Sequence, residues 1–194
     1  MRKIIYFLIV CCMPILALAN NQHVCKPPIN KQTLTYQKST NTPVFFAGFI
    51  IELPPPKDIG YFNDNLIFKY EQDKTIYLTF STNMLIDGRE ADYDPVVVFK
   101  EAFGILPKQA KNNSEINAII RLQRLCENEL ISYQINNIDY DVIRTKYHNS
   151  FSDKSTIDTF ILGEPKEVYM IGFKGFTNKE IDQLLSTIHK KNKK

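Results

Sequence analysis

NLIFKYEQDKTIYLTFST, residues 65–82, decides the fold. Leu66, Phe68 and Tyr70 alternate with Ile67 and Lys69, a polar EQDK step follows, and Ile76, Leu78 and Phe80 then alternate with Thr75, Tyr77 and Thr79. A period of two sends successive side chains to opposite faces of a strand, so two such runs around a polar step predict a β-hairpin with one apolar face. Two further stretches repeat the pattern. In LISYQINNIDYDVI, residues 130–143, Ile131, Tyr133 and Ile135 lead to Asn136-Asn137, a pair that tolerates left-handed turn geometry, and Ile138, Tyr140 and Val142 lead back. In TIDTFILGEPKEVYMIGF, residues 156–173, two strands flank a GEPK turn at 163–166. Upstream, VFFAGFIIEL at 44–53 is a nearly unbroken apolar run, which predicts one strand buried on both faces with Gly48 at a bulge or close backbone approach. Pro54, Pro55 and Pro56 stop it, because proline cannot donate to a ladder. About seven strands result, mostly joined as hairpins, so the sheet should be largely antiparallel.

Three segments carry helical signals. In FTNKEIDQLLSTIHKK, Thr177 is an N-cap, Glu180 completes a capping box, and Ile181, Leu184, Leu185 and Ile188 form one apolar stripe. Ile116, Ile119, Ile120 and the residues 122–126 give a second helix, opened by Asn113 or Ser114. PVVVFKEAFG pulls two ways: three valines favour a strand, while Asp94 as N-cap, Pro95 in the first turn and Gly104 beyond the end favour a helix, which is the expectation here. Strands, helices, strands and a last helix make an α+β fold with two or three helices packed on the sheet.

The first residues have the layout of a secretory signal peptide: Arg2 and Lys3, an apolar run from Ile4 to Leu18, and small Ala17 and Ala19. The run is shorter than the ~20 residues of a membrane-spanning helix, so cleavage after Ala19 is expected and no stable anchor should remain. The domain plan is therefore a signal peptide at 1–19, an extended polar arm at 20–43 and a single domain at 44–194. The expected destination is the periplasm or the extracellular medium. Loss of Arg2 and Lys3 lowers the charge excess from three to one, which gives nucleic acid no electrostatic reason to bind. Cys11 and Cys12 leave with the signal, and Cys25 and Cys126 remain as a disulfide pair that would tie the arm to the domain. Such a closed loop would add about 4 kcal/mol in the chain-entropy model.

Chemistry is sparse. The chain has no GxSxG, no phosphate-cradling glycine loop, no HExxH, no CxxC and no tryptophan, and no cofactor is implied. His23, His148 and His189 stand apart; a cation such as His189 at a helix C-terminus would complement the dipole. DGREADYD, residues 87–94, gathers four carboxylates, but its glycine comes second, Arg89 cancels a charge and no acid follows at the spacing calcium needs. It predicts a solvated loop leading into a helix at Pro95, with no metal. Asp87, Glu90 and Asp92 stay candidates for contact with a partner's basic surface, and Tyr77, between Ile76 and Leu78, for an interface anchor.

The C-terminal stretch VYMIGFKGFTNKEIDQLLSTI resembles the way PsbP-like domains close, with a last strand, a capped turn and a helix laid on the sheet. The resemblance covers about the last 25 residues and the coarse order of elements. It implies a small exported α+β domain with a non-enzymatic accessory or binding role. The first expectation is thus an exported protein that binds another protein, as an accessory subunit or an immunity or inhibitor protein. The alternatives are a hydrolase built on His148, Asp139 or Asp141, or a carrier of a small apolar ligand between sheet and helix.

Overall fold

The computed structural model describes residues 31–46, 48–62, 65–79, 93–107, 112–125, 130–135, 138, 140–147, 156–163 and 168–190. The strands β1 (Lys31–Leu34), β2 (Thr42–Phe46), β3 (Phe49–Leu53), β4 (Asp58–Phe62), β5 (Asn65–Lys69) and β6 (Thr75–Thr79) come first. Helices α1 (Pro95–Ala102) and α2 (Asn113–Leu125) follow, then β7 (Ile131–Ile135), β8 (Asp141–Tyr147), β9 (Thr156–Leu162) and β10 (Val168–Lys174). Helix α3 (Asn178–Leu185) and the short β11 (His189–Lys190) complete an α+β fold. The main sheet has eight strands in the order β1-β7-β8-β9-β10-β6-β5-β4, and β11-β3-β2 form a small second sheet. Every described pairing is antiparallel except β1 with β7.

The hairpin of β5 and β6 forms on the faces its alternation demands. Leu66 pairs Leu78 and Phe68 pairs Ile76 on the apolar side, around a turn where Gln72 and Asp73 take left-handed φ of 59° and 57°. That side of the main sheet also carries Tyr133, Val142, Ile161, Ile171 and Phe173, and it packs on Phe46, Phe49, Ile51 and Leu53 of the small sheet and on Ile181, Leu185 and Ile188. The opposite side carries Ile143, Phe160, Leu162 and Val168 and is covered by α1 and α2 through Val96, Phe99, Phe103, Ala118 and Leu122. The molecule is therefore three layers deep, with an apolar core on each side of the main sheet. Asp94 caps α1 by accepting from the Val96 N–H at 2.9 Å, which settles PVVVFKEAFG as a helix.

Four local expectations give way to tertiary geometry. The run 44–53 is a hairpin rather than one strand: Phe46 faces Phe49 across a tight turn in which Gly48 has φ +79°, a conformation glycine adopts without a Cβ clash. Asn136-Asn137 lie outside the described residues, but the register of the strands they join differs from that of a two-residue turn there: Tyr133 pairs Val142 instead of Tyr140. The chain uses the extra length to fold Ile138 back, its N–H donating to Ile135 at 3.2 Å and its side chain buried in the core. A shift of two residues keeps every side chain on its face, so the apolar pattern tolerates it. Helix α2 is capped by Asn112, whose Oδ1 accepts from Glu115 N–H at 2.9 Å while Glu115 reaches back to Asn112 N–H at 3.3 Å.

The fourth correction concerns the end of α3. The capping box of Thr177 and Glu180 opens it as expected, but the helix stops at Leu185 and does not run on through the lysines. Ser186 and Thr187 donate their hydroxyls back to Gln183 and Leu184 carbonyls at 2.6 and 2.7 Å, offering the backbone an alternative to another turn. Ile188 then drops into the core, and His189 and Lys190 pair Ile50 and Phe49 on the open edge of β3. His189 is thus a strand residue, its ring 5.1 Å from Tyr36 and its Nδ1 2.9 Å from the Thr187 carbonyl, and not a helix-terminal cation.

Lys31–Leu34, which fall in the polar arm of the sequence plan, add to the edge of β7 as β1. The residues that follow cross the outer face of β3. Tyr36 donates its hydroxyl to Glu52 at 3.2 Å, Ser39 N–H donates to the other Glu52 oxygen at 2.8 Å, and Gln37 N–H donates to Ser186 at 3.2 Å. Burial pushes the Glu52 carboxyl up, but the bonds from Ser39 and Tyr36 and the nearby His189 outweigh it and hold the group below its usual range.

Candidate functional site

Of the residues singled out in sequence, Cys25, Asp87, Glu90, Asp92, Cys126, Asp139 and His148 lie outside the described residues. Asp141 is described and forms an ion pair with Lys100 at 3.1 Å, so it ties β8 to α1. Tyr77 lies on β6, half-buried, on the face of the main sheet shared with α1 and α2.

Tyr77 belongs to a row that crosses the sheet from one strand to the next. Gly60 on β4 pairs Ile67 on β5, Ile67 pairs Tyr77, Tyr77 pairs Gly172 on β10, Gly172 pairs Asp158 on β9, and Asp158 pairs Thr145 on β8. Side chains of one row share a face. Asp158 is 5% exposed, the one ionisable side chain in a strand of threonine and apolar residues. Among the described residues its hydrogen bond is a long one, accepted from the Thr156 hydroxyl at 3.5 Å. Burial pushes this carboxyl up to about 7, and the Thr156 bond pulls weakly the other way.

The opposite face holds a second polar cluster, under α3. Asp182 Oδ1 accepts from Arg144 Nη1 at 2.9 Å and from the Tyr133 hydroxyl at 2.7 Å, and the guanidinium carbon lies 5.4 Å from the Tyr133 ring. Arg144 is 6% exposed at its side chain. Burial and the Asp182 bond both drive the Tyr133 hydroxyl upward, so it stays a neutral donor. Thr159, directly opposite Arg144 on β9, keeps a buried hydroxyl that finds no partner among the described residues. Outside α3 a groove of about 380 Å³ is lined by Lys38, Ser39, Phe176, Glu180, Leu184 and Thr187 among others. Its acid, Glu180, is held down at about 2 by the 2.7 Å bond from Lys74 and by its capping bonds to Thr177.

At the far end of the row the sheet stops at β4. Among the described residues β4 pairs with β5 alone, so its other edge carries backbone donors and acceptors directed away from the sheet. Ile59 and Tyr61, 57% and 68% exposed, lie on the face of Phe68 and Leu66, and Phe62, 66% exposed, lies on the other. No family model, curated protein or solved structure matches the chain.

Without a relative to consult, the chemistry rests on the residues themselves. Among the described residues no group of three or more His, Cys, Asp or Glu side chains could hold a metal ion, and no helix is long and apolar enough to cross a membrane. The arrangement offers two things: an apolar-aromatic sheet edge and a buried acid four strands away in the same row. Neither is marked by a motif in the sequence. Strand β4 hides behind three prolines and around Gly60, which breaks its alternation, although DIGYF does carry three large apolar residues in five positions. Asp158 was visible as an acid inside TIDTFIL, but what it faces depends on the hairpin register.

Proposed function

We propose that this chain is an exported module that binds another protein, as an accessory subunit or as an inhibitor or immunity protein, and that β4 is its docking edge. The observation that carries this is the β4 edge itself. A strand edge is a liability that proteins blunt with charge, proline or a covering segment; Pro54–Pro56, Lys57 and Asp58 guard the start of β4, but beyond them the strand sets the exposed Ile59, Tyr61 and Phe62 along an edge that no described strand pairs. The occupant with matching chemistry is an extended segment of the partner. Added to β4, its main chain would meet the donors and acceptors directed away from the sheet while alternate side chains settle on Ile59 and Tyr61 of one face and Phe62 of the other. The basic, apolar and small-residue order of residues 1–19 supports export, and the resemblance of the C-terminal strand-turn-helix to PsbP-like domains points to the same class of accessory role.

The test is recovery of a partner from the extracytoplasmic fraction by immobilised protein, with Ile59→Lys/Phe62→Lys as the paired variant. Both side chains are exposed, so folding should be unchanged within about 0.5 kcal/mol. Loss of an interface anchor should cut affinity by tenfold or more. Equal recovery by the wild type and the variant would remove β4 as the docking edge, and recovery of nothing by either would remove the binding role.

A further inference from the structure

Asp158 has a place made for it. Opposite it on β10 stands Gly172, and a Cβ at that position would lie 2.9 Å from Asp158 Oδ1 and 3.4 Å from the Tyr77 ring. The carboxyl therefore occupies the space a β10 side chain would have filled, with the edge of Tyr77 beside it. Among the described residues, the groups on this face near it are Thr156 on its own strand, Thr145 opposite on β8, Tyr77 and Thr75 on β6, and Lys174 two residues beyond Gly172 on β10. From α1, which covers the same face further along, the charged groups are Lys100, paired with Asp141, and the buried Glu101; from α2 the described one is Glu115, engaged in its own cap. None of the ion pairs among the described residues includes Asp158. A carboxylate anion enclosed in this way, with one long hydrogen bond, is costly, and the neutral acid is accommodated at much lower cost.

We propose that the Asp158 carboxyl, seated in the notch left by Gly172 beside Tyr77, is a proton-operated latch on the main sheet: the neutral acid closes the β9-β10-β6 strip, and ionisation loosens it. The burial that comes with this geometry displaces the carboxyl upward and sets the window. With a folded-state value near 7 against about 3.9 in the unfolded chain, the contribution is fully present below the unfolded value and is lost as pH rises through the folded one. Between the two, the folded state holds one proton more than the unfolded state. The folding constant should then fall by up to about tenfold per pH unit. Glu180 and Glu52 act in the other sense, their contributions being present above the unfolded carboxylate value and lost as pH falls, so the most stable pH should be mildly acidic. This device holds whether or not the chain binds a partner.

The experiment is urea unfolding of the protein and of Asp158→Asn from pH 4 to pH 9, with the Asp158 side-chain carbon followed by NMR in the wild type. The wild type should lose midpoint steadily from about pH 5 to pH 7 and level off above it while the variant stays level, and the carboxyl carbon should titrate near neutrality. Amides of Tyr77 and Gly172, corrected for intrinsic rates, should lose protection at pH 8 relative to those of β7. Parallel pH profiles in the two proteins, or a carboxyl carbon that titrates near the ordinary aspartate value, would overturn the latch; the NMR titration needs no variant and decides the matter even if Asp158→Asn fails to fold.

Discussion

Replacing Phe99 with alanine is expected to cost about 3–5 kcal/mol, the range for truncating a fully buried aromatic side chain. Phe99 is completely buried, with its ring centroid 5.6 Å from Phe103 and 5.0 Å from Phe160, and Phe103 and Phe160 stand 5.6 Å apart. Those three rings are the meeting point of α1 with β9. A cavity there cannot close by a shift of α1 alone, because the Asp94 cap and the Lys100–Asp141 pair hold the helix near both of its ends. The apolar core on the far side of the sheet, around Ile76, Ile171 and Leu185, does not include Phe99 and should survive as packed. Urea unfolding should show the full loss for Phe99→Ala and less than about 0.5 kcal/mol for Ile116→Ala, a large side chain exposed on α2. A cost below about 1 kcal/mol for Phe99→Ala would mean that α1 contributes little to the layer it covers.

That helix also shows which sequence signals prevail. Val96, Val97 and Val98 favour extended backbone, but their preference amounts to a few tenths of a kcal/mol each, against about 1 kcal/mol for the Asp94 cap together with proline's fit to the first turn. Local signals that bind specific backbone groups were therefore legible: the caps of α1 and α3 and the alternation of β5 and β6 all stand where the residues put them. What could not be read was competition between an element and a distant edge. Nothing in STIHKK announces that His189 and Lys190 will leave the helix, since the open side of β3 that takes them lies far away in the chain. Likewise VFFAGFIIEL is equally apolar as one strand or two; the choice of a hairpin depends on whether both halves find a face to bury, and Phe45 and Ile50 point away from the core that takes Phe46, Phe49 and Ile51.

The candidate site turned on a single residue of loop length. A four-residue turn at Gly163–Lys166 would have set Asp158 opposite Ile171. The observed pairing of Val168 with Leu162 lengthens the connection by one residue and sets Asp158 opposite Gly172. In a strand pair one residue of slip changes which face every partner shows, so the notch and its acid could not be inferred from composition or alternation. Tyr77 was legible as a residue on the face away from Ile76 and Leu78, and its strand neighbours say why it stays half-buried: it leans over a glycine and beside a carboxyl. The edge at β4 was illegible for a different reason. A strand becomes an edge by what does not pair with it, which is a property of the whole sheet order.

Asp182→Ala should destabilise the fold by about 2–4 kcal/mol, through what it leaves behind more than through what it removes. The carboxylate oxygen of Asp182 is the shared acceptor for Arg144 and Tyr133, two side chains that rise from β8 and β7 to meet α3. Without it the Arg144 guanidinium stays in a place 6% exposed with its ion-pair partner gone, and the Tyr133 hydroxyl loses its acceptor in the same step. The expected loss sits below the extreme for a sealed pair, because about a third of the Asp182 side chain is open to solvent and water can supply part of what is lost. The pair is costly to break and not especially valuable to possess. Removing all three polar groups together, in Arg144→Met/Tyr133→Phe/Asp182→Leu, should therefore return stability to within about 1 kcal/mol of the wild type, since apolar groups of similar volume need no partners. Tyr133→Phe alone should cost about 1 kcal/mol, one hydrogen bond whose acceptor keeps its arginine. If the triple variant is as unstable as Asp182→Ala, the cluster holds α3 by its bonds and not merely by the penalty for breaking them.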